Sequence, residues 1–98
     1  MSGPNCYIVS YDIMEPKRLR QVHRSLKGFG DPLHYSVFRC NLTDKGLIEL
    51  MAILTEIIKH DEDRVMIVDL GPAEGRAEER IVFMGVHPPD CQPDAVIA

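Results

Sequence analysis

The chain has 98 residues, of which 45% are apolar and 27% charged, and its formal net charge is −4. These values predict one soluble globular domain with a single hydrophobic core. They exclude a membrane-spanning protein, since no apolar run approaches the roughly 20 residues that cross a bilayer. The N-terminus lacks the layout of a signal peptide, and three widely spaced cysteines do not suggest a disulfide framework. We therefore expect a cytoplasmic protein.

The net charge conceals a strong local asymmetry. Residues 17–27 carry +5, which leaves −9 for the rest of the chain, and the five cations are Lys17, Arg18, Arg20, Arg24 and Lys27. Local fields steer phosphate groups more than the mean charge does. An acidic total therefore does not exclude a nucleic-acid partner.

The first predicted elements are a strand and an amphipathic helix. Residues 6–13 are apolar, β-branched and aromatic, and they place Asp12 at the C-terminal edge of the strand. Pro16 suits the first turn of a helix, whose apolar stripe is Leu19, Val22, His23 and Leu26. We expect Gly28 and Gly30 to end this helix in left-handed conformations, and Asp31-Pro32 to continue the break.

The second half of the chain repeats this alternation. Residues 33–42 are rich in strand formers, and Thr43 is a predicted cap for a helix that runs to about Lys59. The nearly continuous apolar run 64–70 is typical of a strand buried on both faces, or of a central strand under helices. Residues 81–86 form a further strand candidate. The apolar tail 94–98 needs a sheet edge, in its own sheet or in a partner subunit.

Element order predicts an α+β sandwich with helices on one face of a sheet. If residues 33–42 form one strand and residues 81–86 form the last, the order of elements is β-α-β-α-β-β. If residues 33–42 are two strands separated by a bend near Ser36, the order becomes the ferredoxin-like βαββαβ. We predict one such domain over residues 1–98, with a core at about 5–86 and a tail, 87–98, that adds a short C-terminal strand.

Four short motifs now occur in order. They are Tyr11-Asp12-Ile13, Arg18-Leu19-Arg20, Gly28-Phe29-Gly30 and Tyr35-Ser36-Val37-Phe38. Together they resemble the small CRISPR-associated endoribonuclease family, the compact partner of the CRISPR integrase, over roughly residues 5–86. One departure is visible, because His34 stands where family members commonly carry a polar amide.

The resemblance implies a ferredoxin-like fold in a symmetric homodimer. It also implies a Mg²⁺ ion near Asp12, cleavage of RNA or DNA phosphodiesters, and a bridging role between integrase dimers during spacer acquisition. The family's metal-binding aspartate corresponds to Asp12, and its Ser and Phe correspond to Ser36 and Phe38.

Asp12 is the candidate catalytic and metal-binding residue. Mg²⁺ keeps several waters, so one or two carboxylates suffice for a loose site, and a two-fold dimer supplies two copies of Asp12. The alternative is that Asp12 caps the following helix, near the positive end of its dipole.

The cationic helix is the candidate nucleic-acid surface. Lys17, Arg20, Arg24 and Lys27 share one helical face, which suits the phosphates of a duplex; Arg18 is assigned to the same contact. A solvated helix face is the alternative. Arg39, in the following strand, either adds a contact or pairs with an acid.

Ser36 is the second candidate catalytic residue, as a hydrogen-bonding group to a phosphate or a metal-bound water. It lacks a His-Asp pattern, which argues against a covalent serine mechanism. Phe38 is predicted in the core or at a dimer interface, with base stacking as the alternative. Tyr11 is assigned a supporting or interface role, and His23 is predicted to be packed.

Three functions follow from these observations. The first is a homodimeric Mg²⁺-dependent endonuclease. The second is a non-catalytic DNA-binding scaffold that bridges integrase subunits. The third is a small-molecule regulatory module, a common use of ferredoxin-like domains that gives no reason for the cationic helix.

Overall fold

Two helices and four strands alternate along residues 3–87, the part of the chain that the computed structural model describes. In chain order they are β1 (Asn5–Asp12), α1 (Pro16–Lys27), β2 (Asp31–His34), β3 (Val37–Leu42), α2 (Asp44–Ile57) and β4 (Arg64–Pro72). A 3₁₀ helix, Glu78–Arg80, follows β4. Within these residues neither helix is long and apolar enough to cross a membrane.

The strands form one antiparallel sheet in the order β2-β3-β1-β4. This confirms the ferredoxin-like βαββαβ arrangement. The predicted bend near Ser36 is also confirmed, since β2 ends at His34 and β3 begins at Val37. The predicted break at Asp31-Pro32 is wrong, because both residues belong to β2. Proline is tolerated there since β2 is an edge strand.

Side-chain caps begin both helices. The Glu15 carboxylate accepts a hydrogen bond from the Arg18 backbone N–H at 2.8 Å, and Pro16 occupies the first helical position. Thr43 caps α2 as predicted, because its hydroxyl accepts from the Gly46 N–H at 3.1 Å. The helix ends at Ile57, two residues before the predicted end.

The core lies between the helices and one face of the sheet. Its buried members are Tyr7, Val9, Tyr11, Ile13, Val22, Leu26, Phe38, Cys40, Leu42, Leu50 and Leu54. Cys6 and Cys40 are buried free thiols, and Cys40 belongs to this core cluster. Burial raises the pKa of the Cys40 thiol to about 11, so it behaves as a small apolar residue.

The opposite face of the sheet is covered by neither helix. Successive side chains of a strand point to opposite faces, so Ile8, Ser10 and Asp12 point away from the core that holds Tyr7, Val9 and Tyr11. Their register partners on β4 are Val68, Met66 and Arg64. We call this surface the open face; it comprises Ile8, Ser10, Asp12, Val37, Arg64, Met66 and Val68.

The prediction that β4 is central or buried on both faces is wrong. This strand is an edge of the sheet, and Met66 is 54% exposed. A run of apolar residues has the same composition whether a neighbouring element covers both of its faces or only one. The pattern therefore could not distinguish a central strand from an edge strand with an uncovered apolar face.

The predicted strand at residues 81–86 is also absent from the described part of the chain. Val82, Met84 and Val86 are exposed, and the segment lies beyond β4 without pairing to either edge of the sheet. A strand needs a partner for its backbone groups. The predicted C-terminal strand, 94–98, lies outside the described residues.

The two glycines after α1 do not adopt left-handed conformations, contrary to prediction. Gly28 is right-handed helical, with φ −82°, and among the described residues positive φ occurs at Gly71 and Gly85. Gly30 is required for close packing instead. A Cβ there would lie 2.6 Å from Cys40 Sγ and would overlap the Arg39 carbonyl oxygen.

This contrast predicts opposite effects for two matched substitutions. Gly30→Ala should lower the free energy of unfolding by about 1–3 kcal/mol, because β3 backbone must move to admit the methyl group. Gly28→Ala meets its nearest atom at 3.4 Å in a permitted conformation, so it should raise stability by up to about 1 kcal/mol or leave it unchanged. Urea denaturation of both variants is the measurement. Equal effects would contradict the packing explanation.

Candidate functional site

Asp12 lies exposed at the end of β1, on the open face. It stands opposite Arg64 in the register, yet among the described residues no hydrogen bond or ion pair involves its carboxylate. The alternative that Asp12 caps α1 is wrong, because Glu15 performs that role. The Arg18 backbone N–H holds the pKa of the Glu15 carboxyl below its ordinary value. Asp12 is therefore available to an external ligand.

One chain supplies a sparse donor set for a metal. Within residues 3–87 no group of three His, Cys, Asp or Glu side chains is placed to hold an ion. An exposed carboxylate matches the hard oxygen donors that Mg²⁺ prefers, with water filling the remaining positions. Asp12 thus fits a water-rich Mg²⁺ site and not a closed protein cage.

Three of the predicted α1 cations line one groove. This α1 groove, about 550 Å³ in volume, runs between α1 and the β2–β3 turn and is lined by Tyr11, Leu19, Arg20, His23, Arg24, Lys27, Tyr35 and Ser36. Lys17 is exposed on α1 but does not line the groove. No acidic side chain is among the lining residues, so the groove attracts anions.

Arg18 is held elsewhere. Its Nε donates to Asp63 at 2.8 Å, and its terminal nitrogen contacts Glu62 at 3.1 Å. The Asp63 carboxylate also accepts the Met14 N–H at 3.0 Å and the Lys59 N–H at 2.8 Å. Arg18 therefore joins α1 to the α2–β4 turn instead of facing the groove.

Arg39 is likewise engaged by acids, one of the two alternatives for it. Its guanidinium contacts Asp31 at 3.3 Å and Glu78 at 3.0 Å. The second contact ties the segment after β4 to β3. The structure therefore places Arg39 in the scaffold and apart from the α1 groove.

The predicted motif of residues 35–38 divides between groove and core. Ser36 lines the groove, and its carbonyl accepts the Tyr11 N–H at 3.0 Å. Phe38 is fully buried and packs against the edge of His23 at 5.2 Å between ring centroids. A buried ring cannot stack on a base, so the core role of Phe38 is the one observed. Tyr11 supports the groove floor, with its hydroxyl 2.9 Å from His23 Nδ1.

The candidate residues thus lie on two surfaces. Tyr11 and Asp12 are adjacent in β1 but point to opposite faces, so the Asp12 carboxylate lies on the open face while Ser36 and the cations line the helix side. Asp12 and Ser36 are close along the backbone, since the Tyr11 N–H donates to the Ser36 carbonyl at 3.0 Å, but the Asp12 side chain points away from the groove that Ser36 lines.

From the sequence, Tyr35 is included in a motif but its side chain is assigned no role, and Asp63 is not identified. An aromatic residue in a short turn is itself a signal, so Tyr35 could have been found from the sequence. Asp63 belongs to a polar turn, and nothing local indicates its bond with Arg18, which is 45 residues away. Leu19 is predicted in the buried stripe but lines the groove.

Comparison with known proteins agrees with this architecture. The family model described as CRISPR associated protein Cas2 matches residues 5–76. A relative from Geobacter sulfurreducens, named CRISPR-associated endoribonuclease Cas2, is 48% identical over 68 residues, covering 69% of this chain and 72% of its own length. One from Rhodospirillum rubrum, also named a Cas2 endoribonuclease, is 44% identical over 73 residues, covering 74% of this chain and 72% of its own length.

Solved structures show the same fold. A hypothetical protein from Thermus thermophilus superposes with a TM-score of 0.74 at 28% identity, covering 88% of this chain and 96% of that one. Cas2 from Streptococcus pyogenes superposes with a TM-score of 0.70 at 26% identity, covering 82% and 99%. The chain belongs to the Cas2 family of CRISPR-associated proteins, which confirms the resemblance drawn from its motifs.

The Asp63 contacts predict a specific acid sensitivity. The Arg18 hydrogen bond holds the pKa of the Asp63 carboxyl well below its ordinary value of 3.8. A lowered folded-state pKa means that this stabilisation is complete above about pH 4 and is lost as the pH falls further. Asp63→Asn should therefore lower the melting temperature by at least about 5 °C at pH 7, and its deficit should shrink in acid.

Glu62→Gln is the matched control, because Glu62 binds the same arginine but is partly exposed. Its effect on the melting temperature at pH 7 should be small, because an exposed ion pair contributes little. Thermal melts of the three proteins between pH 7 and pH 2 measure this. A deficit in Asp63→Asn that stays constant with pH would contradict the assignment.

Proposed function

We propose that this protein is a homodimeric, Mg²⁺-dependent phosphodiester endonuclease that takes part in CRISPR spacer acquisition in the cytoplasm. RNA and double-stranded DNA are the substrate classes. The observation that carries the proposal is the exposed, unpartnered Asp12 carboxylate at the end of β1, among the residues that the structure describes. Curated relatives named endoribonucleases support the activity.

The open face supports the homodimer. It presents Met66 and Val68 as exposed apolar side chains beside half-buried Ile8, and among residues 3–87 β4 pairs with a strand on one side only. A two-fold contact is self-complementary, so the same residues of each copy would meet. Such a contact would shield this apolar surface and bring two Asp12 carboxylates near one seam.

Mg²⁺ would be held by Asp12 of both protomers together with water and substrate oxygens. When bound, the ion supplies Lewis-acid stabilisation of charge that develops on the scissile phosphate. The chain's own part is to present the Asp12 carboxylate at the seam. Ser36 serves as a hydrogen-bonding group to a phosphate, on the helix side of the sheet.

The α1 cations would position the nucleic-acid backbone. Arg20, Arg24 and Lys27 face a groove without acids, and Lys17 extends the same helical face. Contacts of this kind fix the register of a nucleic acid without reading bases. They give affinity by releasing counterions.

A second candidate function is a DNA-binding scaffold that bridges integrase subunits without cleaving. It is favoured by one observation, the location of Asp12 and the α1 cations on opposite faces of the sheet. Binding through α1 then has no need of the Asp12 carboxylate. The two functions differ in what Asp12 does.

The Asp12→Asn variant should distinguish the endonuclease from the non-cleaving scaffold. If Asp12 holds the ion, the variant should lose at least about 100-fold in Mg²⁺-dependent cleavage, because a group that stabilises transition-state charge has been removed. Affinity for duplex DNA should stay within about twofold, because the α1 cations are untouched. Cleavage of single- and double-stranded RNA and DNA, with Mg²⁺ and with EDTA, is the measurement.

Asp61→Asn is the control, since it removes an equal charge from an exposed turn residue. It should cleave like the unaltered protein. Full cleavage by Asp12→Asn would overturn the endonuclease proposal. Loss of cleavage with unchanged spacer acquisition would leave the scaffold as the physiological role.

The salt dependence of binding tests the cationic surface. Replacing Arg20 and Arg24 by Gln should reduce the slope of log affinity against log salt concentration by about 0.9 for each phosphate that the variant no longer neutralises. Lys45→Gln, an exposed α2 cation outside the groove, should leave the slope unchanged. An unaltered slope in the arginine variants would favour a regulatory module, which has no use for these cations.

A further inference from the structure

We propose that the α1 groove binds one unpaired nucleotide of a nucleic-acid strand, with its base against Tyr35 and its phosphate on the α1 cations. The inference rests on the proposed function for the class of ligand. It adds a site that is separate from Asp12 and that distinguishes unpaired strands from closed duplexes.

The dimensions of the groove suit a single nucleotide. Its volume of about 550 Å³ falls within the range of about 300–1,000 Å³ that is usual for small-molecule sites. A duplex keeps its bases paired and stacked, so it presents only sugar and phosphate to the rim. Extruding a base from a duplex carries an energetic cost, and an unpaired base avoids it.

The cations occupy one wall of the groove. Arg20, Arg24 and Lys27 lie on successive turns of α1, and among residues 3–87 no ion pair neutralises any of them. The two acid-bound arginines, Arg18 and Arg39, lie outside the groove. An anionic phosphate is therefore the complementary ligand for this wall.

The opposite wall carries an exposed aromatic ring. Tyr35 is 92% exposed, although its backbone is fixed, because its carbonyl accepts the Tyr11 hydroxyl at 3.3 Å and the next carbonyl accepts the Tyr11 N–H at 3.0 Å. The ring thus stands on a rigid turn, outside the core. Stacking on such a ring accepts any base, since every base has a π-face.

The floor between the walls is pre-organised. His23 is bonded to the Tyr11 hydroxyl at 2.9 Å and packs edge-on against buried Phe38. Ser36 adds a hydroxyl beside Tyr35. A ligand that enters meets groups that are already ordered, so binding carries only a small entropy cost for ordering the protein.

The test compares strand states under conditions without cleavage. Fluorescence anisotropy in EDTA measures binding of a labelled DNA single strand of about 12 nucleotides, within the usual site sizes, and of the matching blunt duplex. Tyr35→Ala should weaken single-strand binding about tenfold, as removal of one base stack predicts. It should change blunt-duplex binding by less than about twofold, because duplex phosphates use the α1 cations.

Two variants control the test. Tyr35→Phe keeps the ring and should retain single-strand affinity. His34→Ala removes a ring whose centroid lies 6.3 Å from that of Tyr35 but which does not line the groove, so it should weaken single-strand binding less than Tyr35→Ala does and leave duplex binding unchanged. Melting temperatures of all variants should agree, since both side chains are exposed.

The outcomes are distinguishable. Equal losses for both probes, no loss for either, or an equal effect of His34→Ala would overturn the groove proposal and leave the proposed function intact. Absence of binding to any nucleic acid by the unaltered protein would overturn the proposed function itself. An acidic peptide of equal charge that displaces the single strand equally well would show that charge alone accounts for the ligand, contradicting the role of Tyr35.

Discussion

The Asp63 carboxylate joins three segments of the chain that position the candidate site. It accepts hydrogen bonds from the Arg18 guanidinium, the Met14 N–H and the Lys59 N–H. These donors belong to α1, to the β1–α1 connection and to the segment after α2. One shielded anion therefore fixes the start of α1 against the sheet. The direction of the helix then sets the wall of the α1 groove and the position of the connection next to Asp12.

The same interaction explains how an acidic protein keeps a cationic surface. Acids neutralise the two arginines that hold the scaffold together, Arg18 and Arg39, whereas α1 has no acid of its own. Arg20 and Arg24 point to a region without carboxylates. Along α1, the arginine that is paired with acids is therefore kept apart from the arginines that face the groove. The negative net charge of the whole chain favours solubility, while the groove keeps its local positive charge.

Local patterns predicted much of the fold, and long-range contacts limited the rest. Helical spacing located α1 and α2, Thr43 marked a cap, and the bend near Ser36 completed the strand order. The edge position of β4 depends on which elements cover it, which composition does not reveal. The sequence does not show why position 30 requires glycine, since the atoms that a Cβ would meet belong to Arg39 and Cys40 of β3. Within the site, periodicity grouped Arg20 and Arg24 correctly. It could not predict the ion pair between Arg18 and Asp63.

The pleat of β1 has a consequence for how this chain can change during evolution. Tyr11 and Asp12 are consecutive, and each belongs to a different face of the sheet. Inserting or deleting one residue in β1 would exchange their sides, placing a carboxylate among core rings and a phenol on the uncovered surface. Length variation among relatives should therefore occur in connections outside β1, such as residues 73–76 after β4, and not within the strand itself.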